Sequence, residues 1–288
     1  MRVTHDERQL RVRVHRMAYE AAGVMSVTFR SLDGEDLPSW TPGSHLDLLL
    51  PGIITRQYSL CGSPKDQSSW RIAVLREVES KGGSKAVHET LRPGDIVDLV
   101  GPRNNFTLVE SQRYLFIAGG IGITPIVPMV ENAMDARAEW RLVYGGRSRK
   151  SMAFASELER LGGNVNIRPQ DEFGLLNLGE YLDEPVPDTV IYCCGPERLL
   201  SAVEEASAHW PEGSLHVERF APKVQEPADT AELPFDVTLQ RSGRVVHVPL
   251  GRSILEAVEE DGVYPPNSCR EGICGTCETG VLKGVPDH

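Results

Sequence analysis

Three cysteines within nine residues, Cys269, Cys274 and Cys277, constrain this chain more than any other feature. The spacing C-x4-C-x2-C can bring three thiolates to one inorganic centre, and it is one of the spacings that [2Fe-2S] ligation uses. Such a cluster needs four thiolates, two per iron, and no cysteine follows Cys277 before residue 288. The pattern therefore supplies three ligands and leaves the fourth to be explained. Part of a zinc site, or three buried thiols, are the other readings of these residues. Gly272 and Gly275 would let backbone N–H groups turn toward a cluster's sulfurs.

The rest of the chain must house that centre. A length of 288 residues suits two or three domains, each able to bury its own core. A formal net charge of −11 argues against nucleic acid or an anionic membrane as partner, because either would demand a basic face. No uninterrupted apolar run approaches the roughly 18 residues of a membrane span, and the first residues lack a signal-peptide core, so a cytoplasmic protein is expected. Six cysteines without an export signal read as metal ligands or buried thiols sooner than as disulfides. The acidic run 256–261 reads as a solvated helix face.

Short runs of strand character occupy 10–14, 24–29, 45–50, 57–60 and 70–75, separated by turn signals such as Asp33-Gly34, Pro42-Gly43 and Pro93-Gly94. This is the cadence of a small antiparallel barrel. Within it, Arg56, Gln57, Tyr58 and Ser59 offer a cation, a phenol and a hydroxyl on one strand, with Arg56 and Tyr58 on the same face by the period of two. Further on, Gly82, Gly83 and Ser84 form a glycine turn feeding a short helix, where free amides and the helix dipole favour a phosphate.

Residues 114–118 are continuously apolar, as suits a strand buried on both faces of a parallel sheet. Gly119, Gly120, Gly122, Thr124 and Pro125 follow, then a helical stretch over 126–136. Strand, glycine turn and helix form the context in which bare backbone can approach a pyrophosphate. Strands over 140–144, 165–168 and 189–193 alternate with helices over 153–161 and 197–209, which predicts a doubly wound parallel sheet with its ligand beyond the carboxyl ends. Two of those ends carry marked chemistry: Arg147 with Arg149, and Cys194-Gly195-Pro196. A final strand covers 215–220. The polar, proline-bearing segment after it reads as a linker, followed by a hairpin, 235–239 with 244–249, and a helix over 254–261 capped by Ser253 with Glu256.

In this order the motifs resemble the ferredoxin-NADP reductase superfamily, and within it the phthalate dioxygenase reductase and vanillate demethylase reductase branch. The resemblance implies four parts: an FMN-binding antiparallel barrel over 1–108, a doubly wound NAD(P)H-binding α/β domain over 109–221, a linker over 222–234, and a plant-type ferredoxin domain over 235–288 with its C-terminal part, and so the fourth cysteine, missing. It assigns the flavin to Arg56, Gln57, Tyr58, Ser59, Ala73, Val74, Leu75, Gly82, Gly83 and Ser84, with Phe220 over its ring. The nucleotide goes to Gly119, Gly120, Gly122, Thr124, Pro125, Arg147, Arg149, Gly195 and Pro196. Cys194 and Thr124 border the nicotinamide, and Cys269, Cys274 and Cys277 take the cluster.

The implied activity is that of a monomeric reductase component. NADH, favoured over NADPH, gives a hydride to FMN, and the [2Fe-2S] cluster passes single electrons to a Rieske-type oxygenase. Two alternatives are a free-standing flavin or ferric reductase and a flavin-binding redox sensor without turnover.

Overall fold

The computed structural model describes residues 8–50, 54–77, 82–221, 233–267, 270, 272 and 275–284. The chain forms two compact units, Met1–Phe220 and Ala221–His288. In the first unit, six strands build an antiparallel sheet: β1 (Arg8–Ala21), β2 (Val24–Ser31), β3 (Ser44–Leu50), β4 (Ile54–Ser59), β5 (Trp70–Leu75) and β6 (Ile96–Asn104). Their order is β4-β3-β6-β1-β2-β5. The two edges meet at a single bridge, Leu60 with Ile72, and at the Cys61 N–H donating to the Arg71 carbonyl over 2.8 Å. Curling the sheet closed this way removes part of the edge liability of an open sheet.

Alternation drives the closure. Val12, Val14, Phe29, Leu46, Leu48, Ile72 and Leu99 point inward and are fully buried together with Trp70. Each such large side chain contributes roughly 1.5–3 kcal/mol through its burial. The sixth strand, β6, is absent from the sequence expectation, because its Gly101-Pro102 reads as a turn although the residues around it alternate. Strand β1 is also longer than expected. It bends through irregularities near Arg16 and Ala21 and so pairs with both β2 and β6.

A second sheet, all parallel, follows: β7 (Arg113–Gly119), β8 (Glu139–Gly146), β9 (Val165–Pro169), β10 (Thr189–Cys194) and β11 (Leu215–Glu218), in the order β11-β10-β7-β8-β9. Helix α2 (Ile123–Asp135) covers one face and α6 (Glu197–Ala206) the other. The period of two divides the strands cleanly. Phe116, Ala118, Tyr144, Tyr192 and Cys194 face α2, whereas Leu115, Ile117, Val143, Ile191 and Cys193 face Leu200 and Val203 of α6.

The α2 face is continuous with barrel residues Ala21, Val24, Cys61 and Ala73. Polar contacts reinforce the join: the Ala22 N–H donates to the Lys150 carbonyl over 2.7 Å, Lys65 pairs with Asp135 at 2.5 Å, and the Arg71 guanidinium lies 5.0 Å over the Phe154 ring. Barrel and parallel sheet are therefore packed as one body. Short helices complete the unit: α1 (Gly83–Glu89) in the barrel, α3 (Ala155–Glu159), α4 (Gln170–Phe173) and α5 (Gly179–Leu182) in the parallel layer. The last two are shorter than any periodic signal can reveal.

The second unit contains the hairpin β12 (Phe235–Leu239) and β13 (Arg244–Val248), then α7 (Ile254–Glu260). The expected capping box forms: Ser253 Oγ accepts from the Glu256 N–H at 3.2 Å, and Glu256 Oε2 accepts from the Ser253 N–H at 3.0 Å. A small core of Val246, Val248, Ala257 and Val258 joins helix to hairpin. No helix among the described residues is long and apolar enough to cross a membrane.

Candidate functional site

Beyond the Leu60–Ile72 bridge, β4 and β5 part, and α1 sits across the gap. His88 Nε2 lies 2.9 Å from the Val74 carbonyl, Arg76 pairs with Glu89 at 2.9 Å, and Ser84 Oγ accepts from the Glu77 N–H at 3.2 Å. These three contacts tie α1 to β5 and its extension. On the opposite side the stem of Arg56 lies against Gly83, where a Cβ would come within 3.0 Å of Arg56 Cδ and closer still to Cγ. Gly82, at φ 97°, is the left-handed N-cap of the helix. A guanidinium beside glycine amides suits a phosphate ester.

The ladder register divides the β4 residues between two faces. Arg56 and Tyr58 lie opposite Leu48 and Leu46, on the inner face, whereas Gln57 and Ser59 lie opposite Asp47 and His45. Burial pushes the Tyr58 hydroxyl well above its ordinary range, against the pull of Arg56. Gln57 Nε2 is buried without a hydrogen-bond partner among the described residues. On β5, Ala73 belongs to the join with the parallel sheet, Val74 to the barrel core, and Leu75 is partly exposed. The parted edge strands, the bridging helix and the cation beside the glycine turn fit a flat ring carrying a phosphate.

The expected nucleotide residues gather at the carboxyl ends of β7, β8 and β10. The glycines divide by role. A Cβ on Gly122 would lie 2.6 Å from the Gly195 amide nitrogen, and one on Gly119 would lie 2.8 Å from Pro196 Cδ. Both let the turn after β7 nest against the turn after β10. Gly120 differs: its Cβ position faces open space, but its φ of 54° is left-handed. Its bare backbone faces open space. The Tyr144 hydroxyl donates to the Gly120 carbonyl over 3.0 Å and holds that turn in place, a role the sequence analysis missed.

Thr124 and Pro125 occupy the first turn of α2, both buried, and Thr124 Oγ1 donates to the Ile121 carbonyl at 3.0 Å. Arg147 is exposed. Arg149 meets Glu159 through both terminal nitrogens, Nη1 to Oε1 at 2.7 Å and Nη2 to Oε2, so its charge is balanced within the protein.

Cys194 is fully buried, and its Sγ lies 4.0 Å from Glu218 Oε2. Burial pushes the Cys194 thiol up and the Glu218 carboxyl up to about 8, so the pair stays neutral at neutral pH. Sequence reasoning did not single out Glu218. It is visible only because parallel pairing puts Glu218 opposite Cys194. Phe220 follows two residues later, past the end of β11, with 44% of its surface exposed.

In the second unit, Cys269 and Cys274 lie outside the described residues, and Cys277 is half-buried. The residues around them show why the loop is glycine-rich: Arg270, Gly272 and Gly275 all have φ between 57° and 74°. The acidic run is a largely solvated face, as expected, with Glu256, Glu260 and Asp261 exposed and Glu259 the more buried member. Glu259 binds Arg270 at 2.7 and 2.8 Å and Asn267 at 3.0 Å, while Glu260 pairs with Arg252 and Asp261 with Arg244.

Comparison with known proteins matches residues 116–171 to the oxidoreductase NAD-binding domain and residues 237–288 to the 2Fe-2S iron-sulfur cluster binding domain. The chain is 40% identical over 279 residues to the phenoxybenzoate dioxygenase subunit beta of Ectopseudomonas oleovorans, covering 96% of this chain and 86% of that one. Among solved structures, phthalate dioxygenase reductase, described as a modular structure for electron transfer from pyridine nucleotides to [2Fe-2S], superposes with a TM-score of 0.76. It is 31% identical, over 96% of this chain and 87% of that one. An intact type IV self-sufficient cytochrome P450 monooxygenase superposes at 0.89 with 41% identity, over 96% of this chain but only 36% of that longer protein. A barrel with a cation beside a glycine-capped helix, a parallel sheet with nested glycine turns and an iron–sulfur domain thus place this chain in the phthalate dioxygenase reductase family, the electron-transfer reductase components of multicomponent oxygenases.

Proposed function

We propose that the chain takes electrons from NADH through FMN and its [2Fe-2S] cluster to a Rieske-type oxygenase, acting as a monomer of three functional parts: barrel 1–108, nucleotide domain 109–221 and cluster domain 235–288 after a linker. The observation that carries this reading is the gap between β4 and β5. Arg56 and Gly83 line it, and it lies in the same compact unit as the glycine turns of the parallel sheet. FMN supplies the step the protein cannot, taking electrons in pairs and releasing them singly.

The protein's work is positioning. Arg56 and the amides of Gly82, Gly83 and Ser84 hold the flavin phosphate, and Tyr58, Ser59 and the backbone of Ala73, Val74 and Leu75 flank the ring. Gly120 admits the pyrophosphate of the nucleotide, with Thr124 and Pro125 starting the helix beneath it. Cys194 borders the nicotinamide, and neutral Glu218 behind it keeps fixed charge away from the reacting ring. Phe220 covers the flavin. Arg147 stands free of the Arg149–Glu159 pair to reach the adenosine side. Cys269, Cys274 and Cys277 hold the cluster.

The visible spectrum of the purified protein, with iron and acid-labile sulfide assays, tests the whole chain of carriers. Flavin bands with added red-side absorption and about two irons and two sulfides are expected. A sample with flavin alone would overturn the cluster's part in the route. The high similarity to a P450 chain favours a second reading, in which the acceptor's redox group is a haem. Electron delivery to a Rieske oxygenase but not to a P450 decides between them.

A further inference from the structure

We infer that Arg219 is a positioning residue: by bridging Glu197 and Glu204 of α6 it fixes the backbone that carries Phe220, at the point where the chain leaves the first unit. This rests on the reading of Phe220 as the cover of the flavin.

The last ladder pair of β11 is Glu218 with Cys194, so sheet hydrogen bonding ends one residue before Arg219. Unsupported segments at the edge of a domain fray. Here the chain is caught sideways instead. Arg219 Nε lies 3.1 Å from Glu197 Oε2, and Nη2 lies 2.7 Å from Glu204 Oε1. Seven residues, two helical turns, separate the two carboxylates, so both stand on one face of α6. Glu197 is also the first residue of α6, directly after the Gly195-Pro196 turn that packs on Gly119. One guanidinium thus joins the end of β11 to the helix whose start helps form the nucleotide site.

An exposed ion pair would count for little. The Arg219 side chain is 21% exposed and both its partners about a third, so the clamp is partly withdrawn from water and shared by two acids. Its effect is geometric. The elevation of the Glu218 carboxyl comes from burial, without a contribution from the neighbouring arginine.

The test uses the FMN-loaded full chain. Arg219→Gln is expected to reduce the visible circular dichroism of bound flavin and to raise KM for NADH about tenfold, as loss of a charged hydrogen bond of this kind allows. With ferricyanide as acceptor, kcat should stay within about twofold. Arg219→Lys should recover about half of both changes, since one ammonium keeps the charge without the fork. Glu204→Gln, a milder change, should move both readouts in the same direction. Dichroism and KM equal to the parent's would overturn the inference. So would losses that merely track a lowered thermal midpoint and are not recovered by lysine. Phe220→Ala separates the two readings. If it alters the flavin signal while Arg219→Gln does not, the clamp fails and the cover stands. If neither alters it, the cover fails and the clamp with it.

Discussion

Two glycines two residues apart show how differently one residue type can be constrained. At Gly122 a methyl group would meet the backbone of Cys194 and Gly195, which cannot yield without opening the turn. Gly122→Ala should therefore destabilise the first unit by several kcal/mol, roughly the scale of an overpacked core. At Gly120 there is room, and the left-handed backbone costs alanine only about 1 kcal/mol. Gly120→Ala should leave the fold intact but raise KM for NADH, because the added methyl stands on the backbone to which the proposed function assigns the pyrophosphate. Thermal melts beside NADH titrations separate the two.

Glu218 gives a pH signature. Its folded pKa of about 8 lies above the ordinary 4.5, so the folded protein holds a proton that the unfolded chain releases between those values. Stability contributed by the neutral form is present below about 4.5 and falls as pH rises toward 8. Glu218→Gln removes that slope, and its stability relative to the parent should grow by about 2 kcal/mol between pH 6 and pH 8. Urea midpoints at the two pH values check it, and parallel curves would refute it.

Among the elements, the short helices carry most of the testable chemistry. Helix α1 is seven residues long and has no side-chain N-cap, so packing against β4 and β5 holds it in place. Gly83→Ala would push the Arg56 stem away and is expected to weaken FMN binding at least tenfold, a loss of about 1.4 kcal/mol, with a small change in melting. Flavin release by ultrafiltration reads this directly. Helix α7 is the contrary case, since local sequence specifies it through the Ser253–Glu256 box. Ser253→Ala should cost the second unit about 1 kcal/mol and loosen the segment that Glu259 ties to Arg270.

The element order was legible because parallel strands buried on both faces and alternating barrel strands leave opposite periodicities. Strand β6 escaped because Gly101-Pro102 imitates a turn, and α4 and α5 because four residues hold barely one turn of periodicity. The site was legible where a motif is local, as in the glycine turns, Cys194-Gly195-Pro196 and the cysteine loop. Tyr144, Glu218 and Arg219 were not, because their partners lie 24, 24 and 15 to 22 residues away and only strand pairing or helix packing brings them together.

At the scale of the whole molecule, the chain forms two compact units, with the match to the oxidoreductase NAD-binding domain inside the first and the match to the 2Fe-2S cluster binding domain inside the second. Removing residues 222–288 should leave NADH oxidation with ferricyanide within about twofold of the full chain, because the first unit keeps the three hydrophobic clusters of its described residues. Reduction of cytochrome c should be lost. If it survives, the cluster is not the exit route.

The sequence by itself determined the order of the parts, their strand or helix character and the three thiolates, since each follows from residues near one another in the chain. Only the tertiary structure decided which glycine faces open space and which packs on backbone, which arginine is spent on an internal carboxylate, and which acid stands behind Cys194. Those outcomes depend on contacts between distant segments, whose geometry exists only once the sheets have paired and the helices have packed.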